Sequence, residues 1–197
     1  MGHTMVKGYS DKQIIDRAKK INGFKEIPKG YWLAIIKSEE NTPDVFDDKL
    51  YLFQGSKCIL VTTCTANTGT YGLLNFAKWN RKGAAIIKFD EWYYEAFQYG
   101  LHKGKMQALR QYSKFWMYRD NNKNNKAEEI GEATLELANT NLHCNDYKKR
   151  SGIKTWFIGA WSVGCIVCNN FDDYYNGIIA RFKGNTYKIP ACFIHEF

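Results

Sequence analysis

The sequence predicts a mostly-β domain of the α+β class, in which flanking helices cover a strand-rich core. Aromatic residues make up 16% of the chain, with 13 Tyr, 12 Phe and 6 Trp against only 3 Pro, and such rings suit the pleated, half-buried surface of a sheet. β-rich runs recur at 31–37, 49–53 and 58–64, the last two joined by Gln54-Gly55-Ser56-Lys57, which reads as a hairpin turn in an antiparallel sheet. A chain of 197 residues is long enough for one sizeable core, so a single domain over 1–197 is expected.

The elements follow in order. Met1-Gly2-His3-Thr4 reads as a tag remnant, with native translation expected from Met5. Ser10-Asp11 can cap a helix over 10–22, because Ile14, Ile15, Ala18 and Ile21 follow helical spacing and Gly23 stands where it would stop. The three strands named above come next. Residues 65–80, rich in Thr, Gly and Asn, predict a loop, followed by a strand at 84–88 and irregular aromatic structure around Trp92-Tyr93-Tyr94. Strands resume at 106–112 and 114–118. The run from Asp120 to Lys126 begins like a calcium loop but lacks the glycine and the glutamate at the required offsets, so it predicts a plain polar turn. Strand-like segments at 139–143 and 155–160 bracket a flexible basic loop at 145–152. A helix over 170–181, started by Asn170 and spaced by Tyr174, Ile178 and Ile179, leads to a last strand at 186–194.

The net charge of +8 concentrates polyanions of any chemistry and does not choose among them. The basic clusters Arg17-Ala18-Lys19-Lys20 and Lys148-Lys149-Arg150 are not interleaved with stacking aromatics, so nucleic acid is not the expected partner. No run approaches the roughly 20 apolar residues that span a bilayer, and no export signal opens the chain, so a product made in the cytoplasm without membrane contact is expected. Six irregularly spaced cysteines read as reduced thiols, with Cys58, Cys64 and Cys192 in core strands. Nothing in the sequence sets the oligomeric state.

One segment has the composition of a nucleophile site. A cysteine attacks as thiolate, so it needs a base, a partly open setting and donors for an oxyanion. In Trp161-Ser162-Val163-Gly164-Cys165 the glycine lets backbone approach a substrate closely, and Ser162 can hydrogen-bond within the loop that exposes the thiol. Setting aside His3, the candidate bases are His102, His143 and His195. His143 ends a β-like stretch 19 positions before Ser162. Two other readings compete: a buried structural Cys165, and a zinc site built from Cys165-x-x-Cys168 with His143-Cys144. Adjacent residues on a strand point to opposite faces, which counts against the zinc set.

A strand-ending histidine followed by Ser-x-Gly-Cys resembles the L,D-transpeptidase (YkuD-like) family, over about Gly100 to Phe171. Val163 and Val167 depart from it, standing where the family has a second histidine and an arginine. The resemblance implies a β-sandwich or barrel. It implies Cys165 as acyl-accepting nucleophile, His143 as base and Ser162 and Gly164 in the active-site loop, with no metal and no cofactor. The implied substrates are peptidoglycan stem peptides, undergoing acyl transfer or amide hydrolysis. The chain is also similar to phage-encoded proteins sharing Gly69-Thr70-Tyr71, Gly100-Leu101-His102-Lys103-Gly104-Lys105, Arg119-Asp120, Asn141-Leu142-His143 and Trp161 to Cys165. This implies a phage or prophage origin, with a product associated with phage or released at lysis. Within these motifs His102, Arg119, Trp161 and Tyr71 are the expected substrate contacts. His102 is flanked by glycines, and the fork of Arg119 suits a carboxylate. A non-enzymatic phage structural or host-defence-blocking protein on the same fold is the alternative from another class.

Overall fold

The computed structural model of the protein describes residues 5–40, 42–146 and 158–197. Ser10 opens the first helix, α1 (Asp11–Ala18), through a capping box: its hydroxyl receives the Gln13 N–H while the Gln13 side chain receives that of Ser10. The helix stops a turn earlier than its spacing predicts. Lys19 is the C-cap, and Asn22 instead bridges Glu91 of a neighbouring strand.

Among the described residues eleven strands follow: β1 (Tyr31–Lys37), β2 (Asp48–Gln54), β3 (Lys57–Thr65), β4 (Ala84–Ile87), β5 (Glu91–His102), β6 (Met106–Gln111), β7 (Phe115–Asp120), β8 (Thr134–Glu136), β9 (Leu142–Cys144), β10 (Ile166–Cys168) and β11 (Ile189–His195). Eight close into a barrel in the order β1-β11-β5-β6-β9-β10-β3-β2, and β4-β7-β8 form a separate three-stranded sheet. The mostly-β α+β class is therefore as expected. Pairing is antiparallel except for β1 with β11 and β9 with β10.

β1 shows why the barrel strands read as unbroken apolar runs. Leu33 and Ile35 face the barrel core with Phe97, Phe115 and Phe193, while Trp32, Ala34 and Ile36 face a second layer that includes Ile14 and Ala18 of α1. Both faces are covered, so strict alternation disappears. Inside the barrel Tyr93, Phe97, Phe115 and Phe193 pack edge to face or tilted. Truncating one of these rings to alanine would cost about 3–5 kcal/mol.

Four local expectations are corrected. Residues 65–80 hold a short helix, α2 (Thr70–Asn75), and the turn Phe76–Lys78. Burial of Leu73 and Phe76 against Ala84, Ile86 and Ala127 overrides the weak propensity of its Thr and Gly. The Trp92-Tyr93-Tyr94 segment is regular: it lies in β5, with Trp92 against Trp32 and Tyr93 turned into the core. The strand expected at 114–118 runs on to include Arg119 and Asp120, which end β7. Residues 158–160 lead into a helical turn, Gly159–Trp161; the rest of the strand expected at 155–160, and most of the basic loop at 145–152, lie outside the described residues.

The polar turn after β7 is built from serial side-chain caps. Asp120, Asn122 and Asn124 each accept the backbone N–H two residues on. The last helix is a π-helical segment, Asp173–Ile179, running into Ala180–Phe182, and Asn170 caps its start by accepting the N–H groups of Asp172 and Asp173. Tyr174 from this segment shares its hydroxyl between the carbonyls of Gln107 (2.7 Å) and Leu142 (3.2 Å), tying the helix to β6 and β9.

Candidate active site

Three neighbouring positions in the barrel bring the expected site together. His102 ends β5, His143 is the middle residue of β9, and Cys165 immediately precedes β10. Strands β5, β6, β9 and β10 are consecutive in the barrel, so residues 41 and 22 positions from His143 in the chain meet at one end of the sheet. Sγ of Cys165 and one ring nitrogen from each histidine all lie within 4.8 Å of one another. The remaining candidate base, His195, packs at a tilt against Phe89 and faces Glu129 instead.

The loop carrying Cys165 is fixed from both sides. Ser162, buried, shares its hydroxyl between the carbonyls of Asn67 (2.9 Å) and Cys165 (2.8 Å) and accepts the Gly164 N–H at 3.4 Å. Gly164 is required twice over. Its φ is +116°, and a Cβ there would stand 2.8 Å from Cβ of Ala85 and 3.0 Å from the Ala85 carbonyl oxygen. Gly72 lets α2 press on the same loop, since a Cβ there would meet the Ser162 carbonyl at 2.8 Å. These contacts hold Cys165 half-buried, its thiol directed at the Asn139 carbonyl 3.6 Å away.

The two imidazoles stack, with centroids 4.2 Å apart and planes tilted by 29°. His143 is fully buried, and its Nδ1 lies 2.6 Å from the Cys144 carbonyl. A carbonyl only accepts, so Nδ1 carries the proton and Nε2 keeps its lone pair. His102 takes its tautomer from Asn141, whose amide nitrogen is 3.0 Å from the His102 Nδ1. The Asn141 amide is oriented in turn by the Gln111 backbone N–H, which donates to its oxygen at 3.0 Å. The amide N–H therefore donates to Nδ1, and His102 carries its proton on Nε2. Both Nε2 atoms are buried without a hydrogen-bond partner.

Electrostatics keep the site neutral. Burial pushes His143 down to about 3, helped by His102 beside it and opposed by the Cys144 and Trp161 backbone. Burial also pushes His102 down to about 4, with Lys103 and Arg110 adding to it. The Cys165 thiol is pushed up by burial, while the Asn141 backbone and Lys103 pull it back. The resting pair is thus thiol and imidazole, and a proton has to move as the sulfur attacks.

A cavity of about 910 Å³ opens over this cluster, lined by His102, Lys103, Trp161, Val163 and Cys165 and, further out, by Arg110, Arg119 and Glu136. Trp161 sits where expected. Arg119 also lines the cavity, but its guanidinium is bound to Glu136 and to the Gly83 carbonyl (3.3 Å). Tyr71 is not among the lining residues; half exposed on α2, it packs against Trp79 and accepts from the Lys78 ammonium at 3.2 Å. Val163, where the family has a histidine, faces the cavity. Val167, where the family has an arginine, does not: it is buried against Phe46 and Ile158. Lys103 and Asn141 stand in the shared motifs but were given no role from the sequence, and Arg110 was not singled out. The signal for Asn141 was its position two residues before His143, which places both side chains on one side of a strand.

Among the described residues His102, His143 and Cys165 are the single group with metal-ligand-type atoms within 4.8 Å of one another; they supply three ligands, one short of the four of a closed structural zinc site. The competing zinc set weighed from the sequence is not assembled: Cys144 lies in the barrel core, its sulfur on the Cys168 carbonyl at 3.3 Å. All six cysteines are free thiols. No family model, no curated protein and no solved structure matches this chain.

Proposed function

We propose that the protein is a cysteine-dependent acyl transferase or amidohydrolase, acting on short peptides of the peptidoglycan stem type. The observation that carries this reading is the meeting of the Cys165 sulfur with two buried neutral imidazoles beneath an open cavity of about 910 Å³. In the reaction, His143 Nε2 accepts the Cys165 proton as sulfur attacks the amide carbonyl. The tetrahedral intermediate collapses to a thioester as the leaving amine takes that proton, and water or a second amine then releases the acyl group. The cationic lining, with Lys103 and Arg110 free of ion pairs among the described residues, suits the carboxylates of such peptides.

The test is incubation with stem tetra- and pentapeptides, with intact-mass detection of a thioester and product analysis, using Cys165→Ala as control. A mass gain on Cys165 with shortened or cross-linked product supports the reading. Peptide that binds in the cavity without acylating Cys165 favours the non-enzymatic alternative.

A further inference from the structure

We infer that His102 is a second catalytic imidazole, acting as a neutral N–H donor to the oxyanion while His143 acts as the base. The inference rests on the reading of Cys165 as nucleophile and assigns a role to a histidine that the Ser-x-Gly-Cys resemblance leaves without one.

Two stacked imidazoles at one sulfur would be redundant if they carried the same tautomer. Their neighbours make them opposite. The chain Gln111 N–H to Asn141 oxygen, then Asn141 amide N–H to His102 Nδ1, begins at a backbone donor that cannot reverse. It leaves His102 with a proton on Nε2. The Cys144 carbonyl leaves His143 with a lone pair on Nε2. Buried donors and acceptors are nearly always paired, and these two Nε2 atoms are not, which marks them as waiting for groups that a substrate brings.

The backbone supports the same division. His102 lines the cavity and sits at the tip of the β5–β6 hairpin, held by the positive-φ turn Lys103-Gly104 and the Lys105 N–H to His102 carbonyl bond of 3.0 Å. His143 stands behind it, fully buried. The family resemblance implies the Gly164-Cys165 backbone as part of an oxyanion hole; the Gly164 N–H is directed at the Ser162 hydroxyl, which leaves room for a side-chain donor beside the Cys165 N–H. In the attack step the sulfur–carbon bond forms, the carbonyl π pair moves to oxygen, the thiol proton goes to His143 Nε2, and the oxyanion accepts from His102 Nε2–H. When the intermediate collapses, the oxyanion reforms the carbonyl and His102 keeps its proton throughout.

Two measurements test this. Nitrogen NMR of the histidine-labelled wild-type protein at neutral pH reads tautomers directly: the expected result is His102 protonated on Nε2 and His143 on Nδ1, and the same tautomer on both overturns the inference. Reactivity gives the second. Acylation of Cys165 by p-nitrophenyl acetate develops an oxyanion, whereas alkylation by iodoacetamide does not. His102→Phe is expected to slow acylation by about 10²–10³ with alkylation changed less than threefold, and His102→Gln, which restores an N–H, recovers part of the loss. Equal slowing of both reactions would make His102 a merely structural residue. Unchanged acylation overturns its role while leaving Cys165 and His143 in place. A wild-type Cys165 that neither acylates nor alkylates overturns both readings.

Discussion

His102 and His143 lie face to face at 4.2 Å, yet Asn141 and the Cys144 carbonyl give the two rings opposite tautomers. The consequences of this pairing, and of the packing that supports it, are measurable.

The first concerns pH and stability. His143 is held near 3 in the fold against about 6.5 unfolded. The unfolded chain therefore binds a proton that the folded one refuses as pH drops below about 6.5, and stability falls by about 1.4 kcal/mol per pH unit for that proton until the folded value is reached. Urea unfolding between neutral pH and pH 5, compared with His143→Gln, isolates this slope. Identical slopes in the two proteins would show that His143 is not held neutral.

A second pH effect has the opposite sign. Asp47 is buried with both carboxylate oxygens unpartnered, and burial, with Asp48 next to it, pushes it up to about 8. Its contribution is fully present below about 4 and is lost as pH rises through about 8. Asp47→Asn should therefore stabilise the protein above neutrality and have little effect near pH 4, as read by thermal melts. Destabilisation at high pH would mean that the Asp47 carboxylate has a partner in solution.

Gly164 sets the position of the nucleophile. Gly164→Ala forces a side chain onto φ +116° and against Ala85, and should cost about 1–3 kcal/mol while lowering Cys165 reactivity. Adding Ala85→Gly removes the Cβ contact but leaves the backbone strain and the Ala85 carbonyl contact, so recovery should be partial. Full recovery would show that the clash alone matters.

The cations over the cavity should choose among reagents. Relative to a free thiol, Cys165 should favour iodoacetate over iodoacetamide by about three- to tenfold at low salt, and Lys103→Gln with Arg110→Gln should abolish the preference. A ratio insensitive to both substitutions and salt would remove these residues from ligand recognition.

Much of this was legible in the sequence. β1 coincides with the predicted run at 31–37, the β2–β3 hairpin turns at Gly55-Ser56, and the capping chemistry of Ser10 and Asn170 is present. The misread segments were those where distant packing decides: the core contacts of Leu73 and Phe76 make a helix of a Thr/Gly-rich stretch, and the two covered faces of β5 straighten an aromatic run. At the site, the expectation that His143 lies beside Cys165, with Ser162 and Gly164 in the same loop, came from the chemistry of Trp161 to Cys165 and from the family resemblance. His102 was expected as a substrate contact and lines the cavity; its stacking on His143 was not readable, because it depends on the barrel order β5-β6-β9-β10, and the tautomer lock needs Gln111 and Asn141 brought together from separate strands.

The most direct test of the central claim is single-turnover acylation of the wild-type protein by p-nitrophenyl acetate, with the modified residue mapped by mass spectrometry and compared with His143→Ala. The account predicts a thioester on Cys165 in preference to the other five cysteines, and a loss of about 10²–10⁴ in rate when His143 is removed. Acylation that falls on Cys58, the other cysteine not fully buried, or a Cys165 rate indifferent to His143, would contradict it.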